Sequence, residues 1–304
     1  MKKWIAFFLC ALLLCGCAAT PAEESVPAET LPPLELEALC DGQSLKILAI
    51  GNSFSNNTTE HLYDIAIAEG MTDVTIGRLY IGSCTLQMHA ENATGDLPKY
   101  TYYKNTIGLW EKTEEVTMLH GLLDEDWDII TIQQNSGKSG FPATFDGYLE
   151  TVVDYVNQNK TNPEAKLVWH MTWAYQGDSD QKAFQDYGSD QDVMYQAITE
   201  TAQEKILPNA SFAALIPAGT AIQNARTSYM GDTLTEDGYH LNKMGKIIAS
   251  YCWYATLVGK PLEQISLGYV PGLPMSETDK AVIVESVNNA LRTPFAVTTS
   301  TVTQ

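Results

Sequence analysis

Basic residues are scarce. Of 304 residues only 18 are Lys or Arg, against 37 Asp or Glu, a formal net charge of −19. A chain this acidic repels phosphate backbones, which argues against nucleic acid as a partner. Histidine is sparse too, at five residues, and cysteine at six. No Cys and His cluster has the spacing of a zinc site, so neither a metal nor another cofactor is expected. Long apolar runs are few. Trp4 to Leu14 spans eleven residues, too short at about 1.5 Å each to cross a bilayer core of about 30 Å. No internal repeat and no linker to a second domain is visible.

What the termini hold is processing and tether. Lys2 and Lys3 precede that apolar run, the pattern of a secretory signal peptide over residues 1–16. Leu14-Cys15-Gly16-Cys17 then resembles the lipobox of bacterial lipoproteins. The resemblance implies cleavage before Cys17, a lipid on that cysteine, a membrane partner and an extracytoplasmic place in the cell envelope. Cys40, Cys84 and Cys252 are then left, too few for a disulfide framework, though one bridge is possible. Residues 17–45 read as a disordered tether. Pro21, Pro27, Pro32 and Pro33 break regular structure there, and six acidic residues from 18 to 45 meet no basic one. The Thr-rich end, 295–304, reads as a flexible tail.

Between them, residues 46–294 read as one α/β domain. Apolar runs at 46–50, 73–81, 128–133, 166–173 and 211–219 read as strands. Helical spacing appears near 58–69, 142–158, 191–206, 242–258 and 277–291, and Gly70 stands where a glycine would stop the first helix. This alternation predicts a mostly parallel five-stranded sheet between two helical layers, a three-layer α/β/α sandwich. Residues 86–122 break the alternation with a polar, Tyr-rich stretch and are expected to be an insertion, a hairpin beside the site.

Ligands of an open parallel sheet bind off the carboxyl ends of its strands. Gly51-Asn52-Ser53 follows the first strand, Gly82-Ser83 the second, and Gln133-Gln134-Asn135-Ser136 the third. A Gly-Asn-Ser turn alone is more simply a helix N-cap, but Ser53 there would also be exposed at the sheet top as a nucleophile. Asp237 and His240 stand three residues apart just before an amphipathic helix. That spacing lets the carboxylate reach one imidazole nitrogen and leaves the other to take a proton. Taken alone, the pair could equally be a loop carboxylate capping the next helix.

Taken together, "GNSFS", the Gly82 loop, "QQNS" and "DGYH" resemble, in that order, the blocks of the SGNH (GDSL-type) hydrolase superfamily. "WDIITIQQ", "WHMTWAY" and "DGYHLN" resemble a bacterial branch of SGNH-like lipoproteins. The resemblance covers roughly residues 46 to 260. It implies a flavodoxin-like architecture, with Ser53 as nucleophile, His240 as base and Asp237 as its orienter. The oxyanion would be held by the Ser53 and Gly82 N–H groups and one side-chain amide. The amide block departs from the superfamily's Gly-x-Asn-Asp pattern, so Asn135 is favoured with Gln134 as rival. His170, Trp173 and Tyr175, after the fourth strand, suit a sugar face. The expected activity is therefore hydrolysis of a carboxylic ester through an acyl-enzyme, on an acetylated carbohydrate. The alternatives are a lysophospholipase or thioesterase on the same fold, and a glycan-binding lipoprotein with an idle triad. A glycosidase finds no support in the spacing of Asp and Glu.

Overall fold

The computed structural model describes residues 34–268 and 274–303. The signal peptide, Cys17 and most of the tether lie outside the described residues.

Strand β1 (Ser44–Gly51) carries Ile47, Leu48, Ala49 and Ile50, none of which exposes any surface. A strand with four consecutive buried positions must be covered on both faces, which places it inside a parallel sheet. It lies parallel between β2 (Asp73–Tyr80) and β5 (Ile129–Ile132). Strands β6 (Lys166–His170) and β7 (Phe212–Ile216) continue in parallel beyond β5. The parallel strands thus run β2-β1-β5-β6-β7, the flavodoxin-like order with its switch point beside the first strand.

All five expected strands form, but the sheet has seven. Within 86–122, β3 (Tyr100–Asn105) and β4 (Trp110–Val116) make a hairpin that adds antiparallel to β2. The insertion is therefore part of the sheet. Its last strand lies at the edge and exposes the five residues between Trp110 and Val116, so it lacks the apolar run that marks the others. Helices α3 (Leu86–Thr94) and α4 (Met118–Leu123) flank the hairpin in sequence.

The helices form two layers. In one, α1 (Ser53–Thr59), α2 (Leu62–Ala68), α7 (Ala218–Arg226), α8 (Lys243–Val258) and α9 (Glu277–Arg292) pack together. In the other, α3 and α4 pack on α5 (Tyr148–Asn159). Helix α6 (Gln191–Lys205) packs beside the short turns at Pro142–Thr144 and Lys182–Tyr187. None of the described helices is long and apolar enough to cross a membrane.

Both ends of the domain differ from expectation. Order begins before residue 46: Leu39 is buried, its N–H donates to the Leu257 carbonyl at 2.9 Å, and β1 starts at Ser44. The tail is pinned rather than loose. The Thr298 N–H donates to Asn224 Oδ1 on α7 at 2.8 Å, and the Thr301 N–H to Glu285 on α9 at 2.8 Å. Hydrogen bonds to the Asn224 and Glu285 side chains do what no apolar pattern announced. Cys40, Cys84 and Cys252 are free thiols.

Candidate active site

The chain leaves β1 in one step. Gly51 ends the strand, Asn52 is extended (φ −134°, ψ −155°), and Ser53 is the first residue of α1. The step needs glycine, because a Cβ on Gly51 would lie 2.1 Å from Ser55 Oγ and 2.9 Å from the Gln133 carboxamide. Asn52 caps the helix, its Oδ1 accepting the Phe54 N–H at 3.0 Å. Its Nδ2 donates across to the Cys84 carbonyl at 3.2 Å. One carboxamide thus ties the Ser53 elbow to the loop after β2.

The second half of the site comes from the far end of the chain. His240 Nε2 stands 2.8 Å from Ser53 Oγ, and His240 Nδ1 stands 2.7 Å from Asp237 Oδ2. The other carboxylate oxygen, Oδ1, accepts the backbone N–H groups of His240 (2.7 Å) and Tyr239 (3.2 Å). Burial alone would raise the Asp237 carboxyl, but these hydrogen bonds and the imidazole together hold it below its ordinary value. The loop is held from three sides. Leu241 N–H donates to Asn57 Oδ1 on α1 at 2.9 Å, Trp173 Nε1 to the Tyr239 carbonyl at 2.7 Å, and the Gln176 N–H to the Gly238 carbonyl at 2.8 Å. The Tyr239 ring packs on the imidazole with centroids 4.0 Å apart.

Beside Ser53 lies a cavity of about 240 Å³, lined among others by Ser83, Asn135, Lys138, Tyr175 and Tyr239. The turn after β2 is closed by Cys84 N–H to the Ile81 carbonyl at 3.2 Å. Gly82 and Ser83 are its two central residues, and Ser83 takes φ +55°, where non-glycine residues are uncommon. Asn135 Nδ2 donates to the Ser83 carbonyl at 3.2 Å, and Asn135 Oδ1 accepts the Gly137 N–H at 3.0 Å. An amide nitrogen has two protons, so one remains for a ligand in the cavity. Gln134 points elsewhere and is spent. Its Oε1 accepts the Leu86 and Asn135 N–H groups, and its Nε2 donates to Thr144. Of the two rival amides, Asn135 lines the cavity.

Two expected substrate contacts do not hold. His170 exposes 1 % of its surface and Trp173 none. Trp173 stacks under Phe54 at 4.1 Å, and His170 faces Gln133 and Trp253 inside the protein. Burial pushes the His170 imidazole down to about 3, so it stays neutral. The end of a strand covered on both faces still points into a helical layer, which residue type could not reveal. Tyr175 does line the cavity, its hydroxyl 2.9 Å from Ser136 Oγ. Lys138 and Tyr239 were missed. Tyr239 sits inside the "DGYH" motif, where its adjacency to His240 was the available signal. No group of three or more metal-ligating side chains occurs among the described residues.

A family model described as a domain of unknown function (DUF4886) matches residues 46–277. The structure is similar to the crystal structure of a DUF4886 family protein from Bacteroides uniformis, 33% identical, with a TM-score of 0.80 over 86% of this chain and 100% of the other. It is more loosely similar to a candidate SGNH hydrolase from Slackia heliotrinireducens, 18% identical, TM-score 0.45, over 70% of this chain and 99% of the other. A catalytic mutant of an acetylxylan esterase from Geobacillus stearothermophilus is similar at 11% identity, TM-score 0.42, over 76% of this chain and 98% of the other. No curated protein matches the chain.

The low-lying Asp237 carboxyl makes a prediction about stability. Its contacts stabilise the folded state fully above the free value of 3.8 and progressively less as pH falls through the lower folded value. The stability gap between wild type and Asp237→Asn, from urea unfolding, should therefore narrow as pH is lowered from about 4 to about 2. A gap that stays level over that range would mean the carboxyl is not held low.

Proposed function

We propose that this chain, which belongs to the DUF4886 family, hydrolyses carboxylic esters through an acyl-enzyme on Ser53. The observation that carries the reading is the chain of contacts from Ser53 Oγ to His240 Nε2 at 2.8 Å and from His240 Nδ1 to Asp237 Oδ2 at 2.7 Å, at the edge of a cavity. In that arrangement Ser53 Oγ forms a bond to the ester carbonyl carbon while its proton passes to His240 Nε2. The carbonyl electrons move to oxygen. The Ser53 N–H, the Gly82 N–H and the free Asn135 N–H are the donors proposed for that oxyanion. His240 then gives its proton to the leaving alkoxide, and the acyl group remains on Ser53. A water, deprotonated by the same nitrogen, releases it as the acid. Asp237 holds the imidazole in the tautomer that leaves Nε2 free and stabilises it once charged.

The cavity supports a short acyl group on a polar carrier. Ser83, Asn135, Ser136, Lys138 and Gln181 contribute side chains to its lining. A long alkyl chain would desolvate the polar atoms here that lack a protein partner, the second Asn135 N–H among them, at a cost of about 1–3 kcal/mol each on mutational scales. Tyr175 and Tyr239 add aromatic surface of the kind that packs on the C–H face of a sugar. Both features favour O-deacetylation of carbohydrate over a lysophospholipase. The acidic chain and the lipobox-like Leu14-Cys15-Gly16-Cys17 support a place outside the cytoplasm, held by lipid at a membrane.

Five outcomes are expected. A fluorophosphonate should label wild type on Ser53. Ser53→Ala and His240→Ala should each lower kcat for p-nitrophenyl acetate by up to about 10⁶-fold, with the double variant little worse, because the pair acts as a unit. Asp237→Ala should cost less than the roughly 10⁴-fold of a buried orienting carboxylate, since 42% of the Asp237 side chain is exposed and screened. A wild type that takes no label and hydrolyses no ester would leave a glycan-binding protein with an idle triad. For chain length, kcat/KM on p-nitrophenyl octanoate should fall at least about tenfold below that on the acetate; equal values would favour a lipid substrate. Finally, Cys17→Ser should move the protein from the membrane fraction to the soluble one or leave it unprocessed, and unchanged fractionation would remove the lipid anchor.

A further inference from the structure

Beneath the nucleophile lies a polar cluster that the reaction itself does not use. Asn52, Ser55, Gln133 and His170 expose at most 2 % of their surface each. Gln133 follows β5 and joins them. Its Oε1 faces Ser55 Oγ and, at 3.0 Å, His170 Nδ1; its Nε2 faces Asn52 Oδ1 at 2.8 Å.

Hydrogen-bond bookkeeping fixes the proton positions in this cluster. Asn52 Oδ1 accepts the Phe54 N–H, so that atom is an oxygen, and the Gln133 group facing it must donate. Gln133 therefore turns its oxygen to Ser55 and His170, and both of these must donate. His170 is then the Nδ1–H tautomer. Its Nε2 is bare, without a hydrogen-bond partner, and the imidazole packs edge-on to the Trp253 ring with centroids 5.0 Å apart. The second Gln133 Nε2 proton faces the Gln134 carbonyl at 3.4 Å, and only one amide orientation satisfies the set.

We infer that Gln133, oriented by His170 and Ser55, is a positioning residue that holds Asn52, and through it both the Ser53 elbow and the loop of the oxyanion donors. The path is short. His170 sits on β6, Gln133 after β5, Asn52 after β1, and Asn52 Nδ2 reaches the Cys84 carbonyl in the Gly82 loop. Four strand ends are thereby locked in register through two carboxamides. Without Gln133, Asn52 keeps its cap to Phe54 and its bond to the Cys84 carbonyl but loses the third contact on its amide, the one from β5. The Gly82 loop is then held less tightly relative to Ser53. This role rests on the serine-esterase reading above, and it predicts an effect on the transition state rather than on ground-state binding.

The test is kcat and KM for p-nitrophenyl acetate and the rate of fluorophosphonate labelling, with folding checked by circular dichroism and thermal melting. A displacement near 1 Å costs about 10²-fold, so Gln133→Leu should lose roughly 10–100-fold in kcat with KM within about twofold. His170→Phe keeps the ring and removes the donor, and should lose roughly tenfold in kcat. His170→Asn returns an N–H near the position of Nδ1 and should restore kcat to within about threefold of wild type. A purely structural His170 would give no such rescue. The inference is overturned if folded Gln133→Leu labels and turns over like wild type, or if His170→Asn is as impaired as His170→Phe. Should Gln133→Leu not fold, the His170 pair decides alone. A wild type that neither labels nor hydrolyses would overturn the esterase reading and this role with it, whereas an active wild type with indifferent variants overturns this role only.

Discussion

The constraint on which the site depends is the exit from β1. A strand buried on both faces cannot present a side chain to solvent until it ends, and here it ends in one residue. Ile50 is fully buried, and Ser53 already opens onto the cavity. Such an exit leaves no room for a Cβ at Gly51 and demands a capping group at Asn52. Once Asn52 is fixed, its amide reaches both the loop after β2 and the residue after β5. The two backbone donors proposed for the oxyanion are thus placed by the same side chain that caps α1.

The proposed base arrives from a different direction and needs its own scaffold. Asp237 and His240 lie on an irregular loop, and 42% of the Asp237 side chain is exposed. Burial does not hold it; neighbouring loops do. Arg226, almost fully buried on α7, pairs with Asp232 at 2.8 Å. Burial pushes its guanidinium down to about 10, with Asp232 acting against that shift, so it stays charged. The other Asp232 oxygen accepts the Gly177 N–H at 2.7 Å and Gln191 Nε2 at 3.0 Å. The Asp232 carboxylate therefore joins α7 and the segment carrying Gln176 and Gly177 to the loop that leads to Asp237 and His240. With Asp232 partly exposed the pair adds little net stability, but removing Asp232 leaves the buried Arg226 charge uncompensated.

Much of this was legible because turn chemistry is local. "GNSFS" reads as a helix cap at a strand end and "DGYH" as a carboxylate within reach of an imidazole, and in the structure Asn52 caps α1 and Asp237 lies 2.7 Å from His240 Nδ1. The five parallel strands were legible as apolar runs for the same reason that β1 is: coverage on both faces removes alternation. What failed was non-local. Edge strand β4 has no apolar run, because one of its sides is open. His170 and Trp173 have the right residue types for a sugar site. Their direction, however, depends on which layer the end of β6 faces, and that is decided by packing against Phe54 and Trp253. Which of Gln134 and Asn135 lines the cavity is decided by Gln134 being already occupied by Leu86 and Thr144.

The polar cluster under Ser53 shows why a core would carry such groups. Asn52, Ser55, Gln133 and His170 lose water on folding, and their mutual hydrogen bonds offset that loss with little net gain, about 1 kcal/mol each at best. An apolar cluster of equal volume would serve stability as well or better. What apolar contacts cannot supply is direction, since dispersion is nearly indifferent to rotation about a bond. A carboxamide with an assigned donor and acceptor edge has one orientation. At this elbow a rotation of Asn52 would carry the Cys84 carbonyl, and with it the Gly82 turn, away from the nucleophile. A site built on an abrupt turn, with its proposed oxyanion donors on separate loops, therefore draws its geometry from polar contacts and its stability from the apolar strands beside them.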